Sequence, residues 1–225
     1  MNPHAIPAGQ WPWVTLFLLG AFHGLNPAMG WLFAVSLGLQ RKSWPAVLGA
    51  IPPILLGHAA SVTVIVIFLQ FLSTALPPLS TRVACSVILL GFGAARLWRG
   101  RHPRWVGMQV GFRDLTVWSF VMASAHGAGL MLMPFVFILN NDASAYSMRH
   151  GAMAGMQPAL LGFRPAWTWL LPVAVHTLGY VACLVLVAVT VYASVGIAVL
   201  RRVWINVDVL WAAALMATGI LTLFL

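Results

Sequence analysis

Ala21-Phe22-His23-Gly24-Leu25-Asn26-Pro27-Ala28-Met29-Gly30 lies inside an apolar run with no Lys, Arg, Asp or Glu from Trp11 to Gln40. A histidine, an asparagine and a proline in the middle of a membrane-length segment are costly there and demand a reason. On a helix His23, Asn26, Pro27 and Gly30 fall at i, i+3, i+4 and i+7 and share one face. Pro27 removes one backbone donor and frees a carbonyl about a turn earlier, near His23 itself. A membrane helix broken at Pro27 can present ligands at mid-depth without exposing them to lipid.

The surrounding chain has the composition such a helix needs. Of its 225 residues 61% are hydrophobic and 7% charged, where a soluble domain carries roughly a quarter charged residues. This is the composition of an integral membrane protein in contact with a lipid bilayer. The formal charge of +9 arises from twelve basic residues against Asp114, Asp142 and Asp208. The basic residues cluster between apolar runs, which reads as membrane topology and not as nucleic-acid binding. Cys85 and Cys183 form no CxxC and lie in apolar runs.

At about 20 apolar residues per crossing, six helices are expected, near 12–39, 45–71, 81–98, 114–139, 168–197 and 205–225. Met1 to Gln10 holds no Lys or Arg, and the run after it is too long for a signal peptide, so an uncleaved first helix is expected. Arg41, Lys42, Arg96, Arg99, Arg101, Arg104, Arg113, Arg201 and Arg202 fall on one side, and Arg82, Arg149 and Arg164 on the other. By the positive-inside rule both termini lie outside the cytoplasm. Asp114 and Asp208 stand near helix starts and read as N-terminal caps, which leaves no carboxylate at mid-membrane. The long connection from Asn140 to about Trp167 concentrates Met148, His150, Met153 and Met156. Such soft ligands suit Cu(I), and the same pattern suits an interfacial helix that uses Met as a flexible hydrophobe.

A repeat runs through the histidines. His4, His102 and His150 fall in polar segments, whereas His23, His58, His126 and His176 fall in helices one, two, four and five. Ala125-His126-Gly127 in the fourth helix echoes Phe22-His23-Gly24 in the first, and Val175-His176-Thr177 stands where Gly57-His58-Ala59 stands in the second. Three crossings per copy invert the second copy, the architecture of many secondary transporters with a site near the midplane. His23 and His126 lie roughly 15 to 18 Å into their helices at 1.5 Å per residue. Small or polar residues accompany the histidines: Ser61 with His58, Met122 with His126, and Thr177, Gly179, Tyr180 and Cys183 on or beside the His176 face.

Four neutral imidazoles near one point would ligate a transition metal such as Zn, Cu, Ni or Co. Met29 and Met122 would add soft donors, and Asn26 at the Pro27 break an oxygen. The same histidines could hold haem b, two per iron, in an electron-transfer protein. A third reading is an anion or proton-coupled carrier in which imidazoles titrate. An enzyme is not expected, because no nucleophile stands with a base partner and no HExxH occurs.

His23-Gly24-Leu25-Asn26-Pro27 resembles the HGLxPxH pattern of the nickel/cobalt exporter family, within the superfamily of six-helix exporters named after the lysine exporter. Gly57-His58-Ala59-Ala60-Ser61 resembles that family's second-helix histidine. The resemblance implies a duplicated three-helix fold and metal-ion efflux across a bacterial inner membrane. Two features depart from it: Met29 stands where the family's second histidine would fall, and a histidine-rich cytoplasmic loop is absent from the sequence. The thiol-electron carriers of the superfamily place cysteine in helices one and four, where this chain has His23 and His126.

The expectation is an all-α polytopic membrane protein, one transmembrane domain over 1–225 with repeats near 12–98 and 114–225. Its metal site would be His23, His126, His58 and His176, with Asn26, Met29, Met122, Ser61 and Thr177 as further substrate contacts. A homo-oligomer or a membrane complex is its expected assembly.

Overall fold

The computed structural model describes residues 11–75, 77–99, 110–136, 138–139, 167–194 and 207–224. His4, His102, His150, Asp142 and the methionine-rich connection lie outside these residues. Among the described residues every regular element is helical. In chain order they are α1 (Trp11–Leu25), α2 (Trp31–Arg41), α3 (Trp44–Ala75), α4 (Pro78–Arg99), α5 (Phe112–Ala125), α6 (Trp167–Ser194) and α7 (Val207–Phe224).

α3 and α6 contain stretches, Trp44–Leu72 and Trp169–Ser194, long and apolar enough to cross a membrane. α5 and the helical residues Leu130–Val136 pass the same test together as a pair bent by 51°. α1, α4 and α7 contribute shorter apolar helices. Leu18, Leu56, Phe68, Val87, Leu178 and Leu186 are each more than half exposed, so the outer surface is apolar on four helices. Water would penalise such a surface and lipid would not.

The first apolar run divides where Pro27 predicts. α1 ends at Leu25, Pro27–Met29 form one 3₁₀ turn, and Gly30 takes φ +127°, a conformation L side chains rarely adopt. The expected continuous helix over 114–139 is corrected by the structure. α5 stops at Ala125, residues 126–129 turn, and Leu130–Leu132 form a 3₁₀ turn before the helix resumes. Pro134 stands in the first turn of the resumed helix, where a missing N–H costs nothing, and the turn itself falls at Gly127. Gly127 at φ +68° supplies the positive-φ turn that Gly30 supplies in the first run.

Packing follows small residues. α1 lies along α6, α3 along α5, and α4 along α7. In the α1–α6 seam a Cβ added at Gly20 would collide with the His176 carbonyl oxygen, and one at Gly179 with the Phe17 carbonyl oxygen. In the α3–α5 seam a Cβ at Gly57 would collide with the Thr116 carbonyl oxygen. Backbones touch at these points, the close approach that small residues permit between apolar helices. At the start of α5, Asp114 Oδ2 accepts from the Gly111 backbone N–H at 2.9 Å, the capping role expected of it.

Gly179→Val is expected to destabilise the bundle by about 1–3 kcal/mol, the usual cost of overpacking. Gly49→Ala and Gly91→Ala, where a Cβ meets nothing within 4 Å, are expected to be neutral or to stabilise by up to about 1 kcal/mol through helix propensity. Unfolding of the three purified variants in one detergent checks the contrast.

Candidate functional site

The sequence placed four histidines in four helices, and the structure buries all of them completely. His23 from α1, His58 from α3 and His176 from α6 form one cluster. The His23 and His176 rings are 4.8 Å apart, centre to centre, and meet edge to face. His23 and His58 are 5.9 Å apart, also edge to face. His58 and His176 lie nearly parallel at 5.6 Å.

His126 ends α5 and lies within electrostatic reach of His23. The two share a local bond. His23 Nδ1 is 2.8 Å from the Leu19 carbonyl oxygen and His126 Nδ1 is 2.7 Å from that of Met122, each one turn back. A carbonyl can only accept, so Nδ1 carries the hydrogen in both and Nε2 keeps the lone pair. This is the arrangement by which a ligating histidine commonly has its ring orientation and tautomer fixed.

The remaining predicted residues are buried or bonded in different ways. Asn26 is buried, and its Oδ1 accepts from the Ala28 N–H at 3.0 Å. The oxygen offered in the sequence as a donor to a ligand is therefore engaged as the cap of the 3₁₀ turn. Asn26 Nδ2 is buried without a hydrogen-bond partner among the described residues. Met29 and Met122 are buried in one apolar core with Tyr180, and their carbonyls serve Tyr180 and His126. Ser61 is engaged with Ser124 across the α3–α5 seam at 2.8 Å. Thr177 Oγ1 is buried with no hydrogen-bond partner among the described residues.

No protein-family model, curated protein or solved structure matches the chain.

Three further residues gain their roles from contacts made in the fold. Tyr180 stacks on His58 with ring centres 3.7 Å apart and planes 8° from parallel, and its hydroxyl donates to the Met29 carbonyl at 2.6 Å. Ser119 donates to the Ile54 carbonyl at 2.6 Å in the α3–α5 seam. Trp31 Nε1 donates to the Leu25 carbonyl at 3.0 Å, across the break. Tyr180 stands four residues after His176, on the same helix face, and this spacing is the sequence signal that links them. The Trp31 and Ser119 bonds depend on how helices meet, which local spacing does not encode.

The chemistry available is that of neutral nitrogen donors. No carboxylate stands among the described buried side chains. Among the described residues no group of three or more His, Cys, Asp or Glu side chains is arranged to hold a metal ion in this conformation. The rings stack and meet edge-on instead of aiming at one point.

Asn26→Ala is expected to lower stability by about 1 kcal/mol through loss of the cap, with Asn26→Ser recovering most of it. Thermal unfolding of both variants beside the unaltered protein reads the difference.

Proposed function

We propose that the chain is a membrane transporter of a transition-metal ion, of the nickel/cobalt or copper class, carried through the buried imidazole cluster. The spacing of the three rings carries this reading. With metal–nitrogen bonds of about 2.0–2.1 Å and tetrahedral angles, three imidazoles on one ion have ring centres about 5 Å apart. The sides of the His23, His58 and His176 triangle, 4.8, 5.6 and 5.9 Å, bracket that value. Turning the rings about their side-chain torsions would bring nitrogens onto a common ion, with no large movement of the helices. His126, with its tautomer set like that of His23, is the fourth donor.

The helix pairing supports two inverted three-helix repeats. Repeat one is α1 with α2, then α3, then α4; repeat two is α5 with Leu130–Val136, then α6, then α7. Exchanging the repeats turns the α1–α6 pair into the α5–α3 pair and leaves α4–α7 unchanged, and these are the observed seams. Both leading helices break just after a histidine whose Nδ1 bonds the carbonyl a turn back. A membrane-embedded ion site at broken helices suits alternating access by movement of one repeat against the other.

Haem b is the poorer fit. The backbones carrying His23 and His176 touch at Gly20, which leaves no slot for a porphyrin between those two ligands. We further propose six crossings of a bacterial inner membrane with both termini outside the cytoplasm, from the charge asymmetry of the connections.

The purified protein in detergent is expected to bind close to one Co²⁺ or Cu⁺ per chain. His23→Ala, His58→Ala and His176→Ala are each expected to weaken binding by at least about 10-fold. Calorimetry and the visible absorption of Co²⁺ read this. A triple variant that binds as well as the unaltered chain, or an unaltered chain that binds neither ion, refutes the metal reading; proton or anion flux in liposomes without metal binding would favour an imidazole-based carrier. A C-terminal alkaline phosphatase fusion is expected to be active in cells, and an inactive one reverses the orientation.

A further inference from the structure

Tyr180 holds a place that neither hydrophobic packing nor ion binding accounts for. It is fully buried and joins four parts of the bundle at once. It projects from α6, one turn beyond His176. Its ring lies flat on His58 of α3 at 3.7 Å. Its hydroxyl donates to the Met29 carbonyl at 2.6 Å, in the turn between α1 and α2, and lies beside the Ser119 hydroxyl of α5. The Met29 carbonyl is one of those a helix break leaves short of a helical partner, so the phenol satisfies a group that the break itself creates.

This arrangement opposes ion loading. His58 cannot turn its nitrogens toward His23 and His176 while its face is held against Tyr180. Nor can the turn at Pro27–Met29 move freely while its carbonyl is bonded to α6. Four residues after His58, the position in repeat one that corresponds to Tyr180 is Val62, which has no hydroxyl to give. The restraint is therefore present in one repeat only, and it favours one of the two arrangements that inverted repeats could adopt.

Resting on the transport reading above, we propose that Tyr180 is a positioning residue that latches the cluster: its ring holds His58 flat and its hydroxyl ties the α1–α2 break to α6. Both must release before the imidazoles close on an ion. Tyr180 does not itself touch the ion.

The test compares Tyr180→Phe with Tyr192→Phe. Tyr192 lies further along α6 and donates to the Gly38 carbonyl of α2 at 3.4 Å, so its variant loses a longer tyrosine–carbonyl contact on the same helix, away from the cluster. Tyr180→Phe keeps the ring and removes only the hydroxyl. In metal-free full-length protein, hydrogen–deuterium exchange over residues 24–31 is expected to rise about 3- to 10-fold in Tyr180→Phe, the size of one lost buried hydrogen bond. It should stay unchanged in Tyr192→Phe. Co²⁺ affinity of Tyr180→Phe is expected to increase by a similar factor, because the latched form no longer competes as well.

Unchanged exchange in Tyr180→Phe, or an equal rise in both variants, overturns the latch. So does weaker Co²⁺ binding in a folded Tyr180→Phe protein. If Tyr180→Phe does not fold, the unaltered protein decides. Selectively labelled His58 should show an upfield ring-current shift from Tyr180 that disappears as Zn²⁺ binds, and a shift that persists in the Zn²⁺-loaded protein overturns the proposal. Failure of the metal reading appears separately, as absence of Co²⁺ or Zn²⁺ binding, and leaves the exchange comparison to judge the latch.

Discussion

Four imidazoles buried in an apolar bundle, with no carboxylate beside them among the described buried side chains, set the terms for everything around them. A buried polar group must be hydrogen-bonded or it costs stability. His23 and His126 meet that demand at Nδ1 with the nearest resource available, the carbonyl one turn back on their own helix. The Met122 carbonyl also accepts the His126 backbone N–H at 2.9 Å, so the ring shares an acceptor the helix already uses. Each of these histidines stands within a few residues of a break, at His126–Gly129 and at Asn26–Gly30.

The seams that bring the histidines together differ in chemistry. α1 and α6 meet through glycines, so the His23 and His176 rings come within 4.8 Å with little between their backbones. α3 and α5 meet partly through hydroxyls, with Ser61 bonded to Ser124 and Ser119 to the Ile54 carbonyl. Hydrogen bonds of this kind between apolar helices contribute modestly, about 0.6 kcal/mol on average. Their more evident role is register, since each fixes how far one helix has slid along the other.

Much of this was readable from residues alone, and the reasons are local. Pro27 removes a donor from the ladder and Gly30 turns at positive φ three residues on; the pair marks the first break, since Pro52, Pro53 and Pro172 alone leave α3 and α6 continuous. Histidines inside apolar runs are expensive enough to announce themselves, and His23, His58 and His176 do lie together. The second break is only half legible: Pro134 marks where a helix can start again, but Gly127 permits a turn without requiring one. A glycine in a helix is compatible with either outcome; here it takes φ +68°, close to Leu215. Tyr180 was visible as a polar companion of His176, but its bond to Met29 joins residues far apart in the chain. Asn26 was recognised at the break, yet its oxygen serves the backbone, a use that competes with ligation and that side-chain type alone does not decide.

The glycine seam has a mechanical meaning as well. Side chains between two helices act as a compliant layer, since they can change rotamer and absorb a displacement. At Gly20, Gly24 and Gly179 that layer is missing, and the backbones of α1 and α6 bear directly on one another. A push on one helix is then delivered to the other without loss, as through a rigid strut. The strut ends at the joint of Asn26 to Gly30, where the regular helix stops and the Tyr180 hydroxyl holds the Met29 carbonyl, so a load along it bears on that bond, beside the imidazoles.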